Sequence, residues 1–220
     1  MGVSEYMLKG AKQALIEWLR QQGITDENVL HAFDVVERHK FIDNTVLWNR
    51  AYENTPLPIA CGQTISQPIT VAFESQLLQI KEGDKVLEIG TGSGFQAAIL
   101  ATMGAYVFTI ERQLELFRKT RILLTNTLKM NRITMYYGDG FAGRPEKAPF
   151  DKIIVTCGAP NIPTPLLSQL KVGGCVVIPV GENVQTMHRI TKLSPTEFQT
   201  ETFGEFKFVP MLQNIVKINQ

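Results

Sequence analysis

From Lys85 onward, short β-rich runs alternate with amphipathic helical stretches, which restricts the chain to βαβ units around a mainly parallel sheet. Strands are expected over 85–89, 106–110, 133–137, 152–156 and 175–179, and helices over 95–103, 114–129 and 164–170. Weaker runs over 187–193, 197–203 and 213–218 have no helix between them and read as antiparallel additions to the same sheet. The pattern predicts an α/β, doubly wound domain with helices on both faces.

Two helices precede this unit and form an N-terminal helical cap. Leu8, Ala11, Leu15, Trp18 and Leu19 share one face of the first, which Gly23 ends. Thr25 reads as the N-cap of the second, whose stripe is Val29, Ala32, Phe33 and Val36. The stretch 41–66 has no clear period, and a loop of that length is usually functional. It leads into a third helix with Ser66 as the expected cap, Pro68 in the first turn and Ile69, Ala72, Phe73, Leu77 and Ile80 as the expected buried face. The 220 residues are read as one domain: 1–80 as helices and substrate-side loop, 81–182 as cofactor-binding core, 183–220 as antiparallel strands.

Composition narrows the function class. A net charge of +1 gives no electrostatic reason for a nucleic-acid or acidic-membrane partner. No apolar run approaches the roughly 20 residues that span a bilayer, and the N-terminus lacks the pattern of a secretory leader. Cys61, Cys157 and Cys175 fit neither a disulfide framework nor a zinc site, and His31, His39 and His188 form no cluster with metal-ligand spacing. A cytoplasmic protein with reduced thiols and no metal is expected; oligomeric state is not legible, and a monomer is the working expectation.

In open parallel sheets, ligands bind beyond the carboxyl ends of the strands. The first strand ends in Glu88-Ile89-Gly90-Thr91-Gly92-Ser93-Gly94-Phe95. A dinucleotide fingerprint starting at Gly90 wants a glycine where Phe95 stands, so the spacing favours the G-x-G-x-G nucleoside loop of methyltransferases over an NAD site. Glu111-Arg112 follows the second strand, where an acid accepts from ribose hydroxyls. Asp139, within Gly138-Asp139-Gly140 after the third strand, is placed to accept from an adenine amino group. Thr156-Cys157-Gly158-Ala159 follows the fourth with small residues that leave room for a ligand. Glu88 ends an apolar strand, where a carboxylate needs a partner, and the amino group of a bound methionine moiety would suit it.

On these residues the chain resembles the protein-L-isoaspartate O-methyltransferase family from Val36 to Met211. The most specific segment is 57–68, with its Gly62-Gln63-Thr64-Ile65-Ser66-x-Pro68 core. Arg38 with Phe41, Ala51-Tyr52, Val86–Gly94, Ala148–Asp151, Gln169-Leu170, Gly173-Gly174, Ile178–Gly181 and Phe208-Val209-Pro210 match further blocks. The resemblance implies a class I methyltransferase-like fold and transfer of a methyl group from S-adenosyl-L-methionine to the α-carboxyl of L-isoaspartyl residues in damaged proteins or peptides. The product is S-adenosyl-L-homocysteine; the ester then cyclises to a succinimide without the enzyme, and hydrolysis returns some normal aspartate. It implies Ser66 as the catalytic residue; Thr64, Ile65, Glu88, Gly90, Thr91, Gly92, Gly94, Glu111, Arg112, Asp139 and Gly140 as cofactor-binding; and Gln63, Ser66, Ala159, Val209 and Pro210 as substrate-binding. The chain departs from the family pattern at Asn54, Cys157-Gly158 and Met211-Leu212, all near the expected peptide cleft.

The chemistry suits this reading. A carboxylate acceptor with a pKa near 4 is already ionised at neutral pH, so no general base is needed, and no His sits in these blocks. Unpaired N–H groups of a helix capped by Ser66 would orient the acceptor. The alternatives are a methyltransferase acting on a different carboxylate or a small molecule, an NAD-dependent oxidoreductase, opposed by Phe95, and a non-catalytic cofactor-binding adaptor, opposed by the full set Glu88, Glu111, Asp139 and Ser66.

Overall fold

The structure is a computed structural model that describes residues 4–217. Helices α1 (Glu5–Gln21) and α2 (Glu27–Val35) open the chain. The face of α1 that is buried carries Leu8, Leu15, Ile16 and Leu19, while Ala11 is exposed and Trp18 half-buried. Asp26, not Thr25, caps α2: its side chain accepts from the Asn28 N–H. Thr25 instead donates its own N–H to Gln76 at 2.7 Å.

The aperiodic stretch folds as short pieces: 3-10 turns at Arg38–Phe41, Thr45–Arg50 and Ala60–Gly62, and a two-stranded ribbon of β1 (Leu57–Pro58) and β2 (Thr64–Ile65). Helix α3 (Pro68–Leu78) follows. Its N-cap is Gln67 rather than Ser66, because Pro68 itself occupies the first helical position. Its most buried residues include Val71, Glu74, Ser75 and Leu78, not the expected Ile69, Phe73 and Leu77, which are half-buried. The helix is covered on two sides, so no single apolar stripe marks its inner face.

The main sheet contains β3 (Lys85–Ile89), β4 (Tyr106–Glu111), β5 (Ile133–Tyr137), β6 (Phe150–Val155), β7 (Leu170–Val180), β8 (Gln185–Lys192) and β9 (Phe198–Phe206) in the order β5-β4-β3-β6-β7-β8-β9. The first five strands run parallel and the last two antiparallel. The connecting helices are α4 (Phe95–Thr102), α5 (Leu114–Ile122) and α6 (Thr164–Ser168). Three expectations shift. The helix expected over 114–129 widens into a π turn at Leu123–Thr127. The helix expected to reach residue 170 stops at Ser168, because Leu170 already pairs with Phe150 at the start of β7. No strand forms over 213–217, where only the bridge Gln113–Val216 occurs; residue 218 lies outside the described residues.

Chain direction reverses at β3: β4 and β5 build outward on one side, then the chain returns to place β6 on the other. That switch leaves a crevice at the carboxyl ends of β3 and β6. One apolar layer joins α1 to α4 with the sheet face carrying Val86, Val107, Ile154 and Val177. On the opposite face, Leu87, Ile89, Ile153 and Val176 pack with Leu166 of α6, Phe141 and Met211.

Candidate active site

A pocket of about 880 Å³, its open mouth included, occupies the crevice. Its walls come from seven places: Gln63–Ser66 with Val71, the turn Gly90–Ser93, Phe95 and Gln96 of α4, Glu111–Gln113, Gly140, Thr156-Cys157, and the segment Val209–Leu212.

The turn after β3 is built for backbone approach. Gly90 has φ +97°, and a Cβ there would lie 2.7 Å from Thr156 Oγ1. That hydroxyl donates to the Gly90 carbonyl at 2.7 Å, fixing the turn against the end of β6. Gly94 begins α4 as its N-cap and lies behind the pocket lining.

Glu111 ends β4 with only 5% of its surface exposed. Its two carboxylate oxygens accept from the Gly92 and Gln113 N–H groups, each at 2.9 Å. Burial pushes its carboxyl above the usual range, and these backbone donors oppose that. The acid is therefore locked in place against the glycine turn.

Arg112 also lines the pocket, but its guanidinium reaches outward. Nε donates to the Asn214 carbonyl at 2.8 Å and Nη2 to the Gln213 carbonyl at 3.2 Å. Asp139 lies outside the lining, while Gly140 beside it is part of it. Asp139 Oδ1 accepts from the Phe141 N–H at 2.9 Å and Oδ2 from the Asn214 N–H at 2.6 Å. Arg112 and Asp139 thus tie a C-terminal strap across the ends of β4 and β5. The strap is anchored upstream where Gly158 donates to the Val209 carbonyl at 2.8 Å and Met211 to the Gly158 carbonyl at 2.7 Å. Val209 and Pro210 line the pocket; Ala159 is fully buried beside Val180 and does not.

Ser66 is half-buried in the pocket wall, and its hydroxyl has no hydrogen-bond partner among the described residues. Its carbonyl accepts from Arg38 Nη2 at 3.0 Å. Arg38 is 1% exposed and also donates to the carbonyls of Ala51 and Thr55. Burial lowers its pKa to about 10. The guanidinium holds the 51–66 loop by main-chain oxygens alone. The sequence marks Arg38 as part of a matching block; its burial among carbonyls was not visible there.

Glu88 is fully buried behind the lining. Among the described residues neither carboxyl oxygen has a partner at hydrogen-bond distance, and burial pushes its pKa up to about 8 against the opposing effect of the nearby Thr109 hydroxyl. Gln96 and Cys157 line the pocket as well, the Cys157 thiol pushed up to about 12 by burial.

The pocket fits S-adenosylmethionine. It offers a glycine turn with open main chain, a carboxylate fixed at the end of the neighbouring strand, and behind the lining a buried acid without a partner among the described residues. No helix among the described residues is long and apolar enough to cross a membrane, and no group of three or more His, Cys, Asp or Glu among them could hold a metal.

A family model described as protein-L-isoaspartate(D-aspartate) O-methyltransferase matches residues 10–215. A protein-L-isoaspartate O-methyltransferase of Christiangramia forsetii is 52% identical over 209 residues, covering 95% of this chain and 97% of that protein. One from Flavobacterium psychrophilum is 51% identical over 206 residues, covering 94% and 96%. Among solved structures, a protein-L-isoaspartate O-methyltransferase superposes with a TM-score of 0.84 at 26% identity, covering 93% of this chain and 67% of that one. A Plasmodium falciparum structure described as a β-aspartate methyltransferase in complex with S-adenosyl-L-homocysteine gives 0.79 at 26% identity, covering 91% and 98%.

Proposed function

Because the chain belongs to the protein-L-isoaspartate(D-aspartate) O-methyltransferase family, we propose that its pocket joins a methyl donor to an isoaspartyl carboxylate at Ser66. The chain is an S-adenosylmethionine-dependent methyltransferase acting on isoaspartyl residues of proteins. The observation that carries the assignment of residues is that Gln63–Ser66, the Gly90–Gly92 turn, Glu111 and Val209–Leu212 line one pocket.

When bound, S-adenosylmethionine supplies a methyl group on a sulfonium centre. The chain's own residues position and desolvate. Glu111, fixed by Gly92 and Gln113, accepts from ribose hydroxyls. Thr91 and Gly92 present main chain to the nucleoside, and Gly140, which packs tightly on Ile89, adds main chain to the wall beside the base. Arg112 and Asp139 act through the strap, which closes the nucleoside side.

The acceptor is ionised at neutral pH, so no residue need remove a proton. Ser66 is not a helix cap, so its free hydroxyl, rather than helix N–H groups, donates to the acceptor carboxylate and aligns one oxygen. Thr64, Ile65 and Gln63 flank it, and Val209 and Pro210 form the opposite lip, where the isoaspartyl peptide enters. Ala159 supports that lip from behind.

We infer a single functional unit, with 1–80 supplying the acceptor side, 81–182 the donor seat and 183–220 the strap and outer strands. We also propose a monomer working in the cytoplasm. The test is methyl transfer from labelled S-adenosylmethionine to an isoaspartyl peptide and to its aspartyl twin. Transfer to the first alone supports the reading; equal transfer, or transfer only to small carboxylates, overturns it.

A further inference from the structure

On its α3–α4 side the pocket floor covers a group of polar side chains set in an otherwise apolar layer. Side chains alternate along β3, so Glu88 points with Val86 into the layer under α3 and α4. Its register neighbours are Thr109 on β4 and Ile154 on β6. Glu74 faces it from α3, one helical turn beyond pocket-lining Val71. The two residues are 1% and 0% exposed, and none of their four carboxyl oxygens has a hydrogen-bond partner among the described residues. Gln96 of α4 donates to Ser75 Oγ at 2.9 Å and leaves its own Oε1 unpartnered. Val71, Thr91 and Gln96 belong both to this group's surroundings and to the pocket lining.

Two buried carboxyls without hydrogen-bond partners among the described residues are a costly way to fill an apolar layer; apolar side chains of the same shape would pack there at lower cost at neutral pH. Each buried carboxylate in such a layer disfavours a second charge nearby, and the Glu88 charge acts on Glu74, so their titrations are linked. With the ribose held at Glu111 as proposed above, Ser66, Val71 and Gln96 would be the lining residues left for the sulfonium and methionine end.

We propose that Glu74 joins Glu88 in a buried acidic pair beneath the methyl-donor end of the pocket, which gains negative charge when the cationic donor binds and not when its neutral product does. S-adenosylmethionine carries a net charge of one, from sulfonium, ammonium and carboxylate; S-adenosylhomocysteine lacks the sulfonium and is neutral overall. The proton displaced from the pair goes to solvent on donor binding and returns once the methyl group has left. The enzyme therefore favours substrate over product by charge at a distance, without a group touching sulfur.

The pair's electrostatic surroundings are few. Glu88 and Cys157 face Glu74; Glu111 faces Glu88, and with Arg112 faces Cys157. Helix α4 carries no titratable residue, β7 presents the buried thiol of Cys175, and the charged residues of α2 that flank α3 are exposed. Burial and the neighbouring Glu88 push the Glu74 carboxyl well above the usual range, in keeping with a protonated resting pair.

The inference rests on the reading that this pocket takes S-adenosylmethionine. It is tested by calorimetry from pH 6 to 8 in two buffers of different ionisation enthalpy, with donor and product titrated separately. Wild type should release more protons with S-adenosylmethionine than with S-adenosylhomocysteine, and its donor-to-product affinity ratio should rise roughly tenfold with pH. In Glu74→Gln, where Glu88 titrates alone, the proton difference and the pH slope should fall at least twofold, with thermal unfolding reporting that the variant is folded. Equal proton release for both ligands in wild type overturns the pair without any variant, as does an unchanged difference in folded Glu74→Gln. Wild type that binds neither ligand overturns the reading of the pocket instead. Transfer to an isoaspartyl peptide, followed in parallel, separates failure of the acceptor assignment from failure of the pair.

Discussion

The backbone N–H of Gly92 donates to Oε2 of Glu111 at 2.9 Å, so the acid that ends one strand and the turn that ends its neighbour hold each other in place. Replacing Glu111 with Gln puts an amide donor against one of two backbone donors. We expect the dissociation constant of S-adenosylhomocysteine to rise about tenfold or more, from loss of charge-assisted bonds of about 1.5–3 kcal/mol. Calorimetry reads it; unchanged affinity would remove Glu111 from the nucleoside seat.

Ser66 lines the pocket and caps nothing. Ser66→Ala should therefore lower kcat on an isoaspartyl peptide by roughly tenfold to a hundredfold, the worth of one oriented hydrogen bond or so. Unfolding midpoint and donor affinity should stay near wild type. A large loss of stability would mean that the residue acts structurally.

A side chain at Gly90 meets two obstacles, a left-handed backbone and the Thr156 hydroxyl 2.7 Å away. Gly90→Ala should destabilise the protein by about 1–3 kcal/mol and weaken donor binding in parallel. Urea unfolding with and without S-adenosylhomocysteine separates the two effects.

The Glu88 carboxyl is pushed from its usual value up to about 8 by burial. A raised carboxylate favours the folded state while it is protonated, so its contribution is full below about pH 4.5 and fades as pH rises toward 8. The ligand-free wild type should lose stability across that window, by up to a few kcal/mol. Glu88→Gln should flatten the profile and be the more stable form at pH 8. Thermal melts across pH check the sign.

The strap is held by Arg112, Asp139 and the bridge to Val216. Removing residues 213–220 should leave the fold intact and speed release of S-adenosylhomocysteine several-fold, as stopped-flow displacement would report. An unchanged rate would mean that the strap covers nothing.

Sequence and structure agree best where chemistry is local. The glycine turn and Glu111 could be read directly, because tight turns need glycine and strand-end acids are few. The parallel core was legible from period alone. Ser66 lines the pocket, but the cap role expected for it falls to Gln67, because Pro68 takes the first helical position. Glu74 was invisible, since a helix covered on two sides shows no clean stripe. Asp139 was expected beside adenine, yet its oxygens hold Phe141 and Asn214, a long-range tie that no spacing encodes.

Arg38 grips the acceptor loop solely through the carbonyls of Ala51, Thr55 and Ser66. Every amino acid carries that same oxygen, so the anchor is indifferent to which side chains the loop displays. Substitutions at its exposed positions, such as Glu53 and Pro58, can therefore change the face the loop shows to solvent while the clamp beneath stays closed. A single interior cation thereby separates the outer surface of the loop from the anchoring of its backbone.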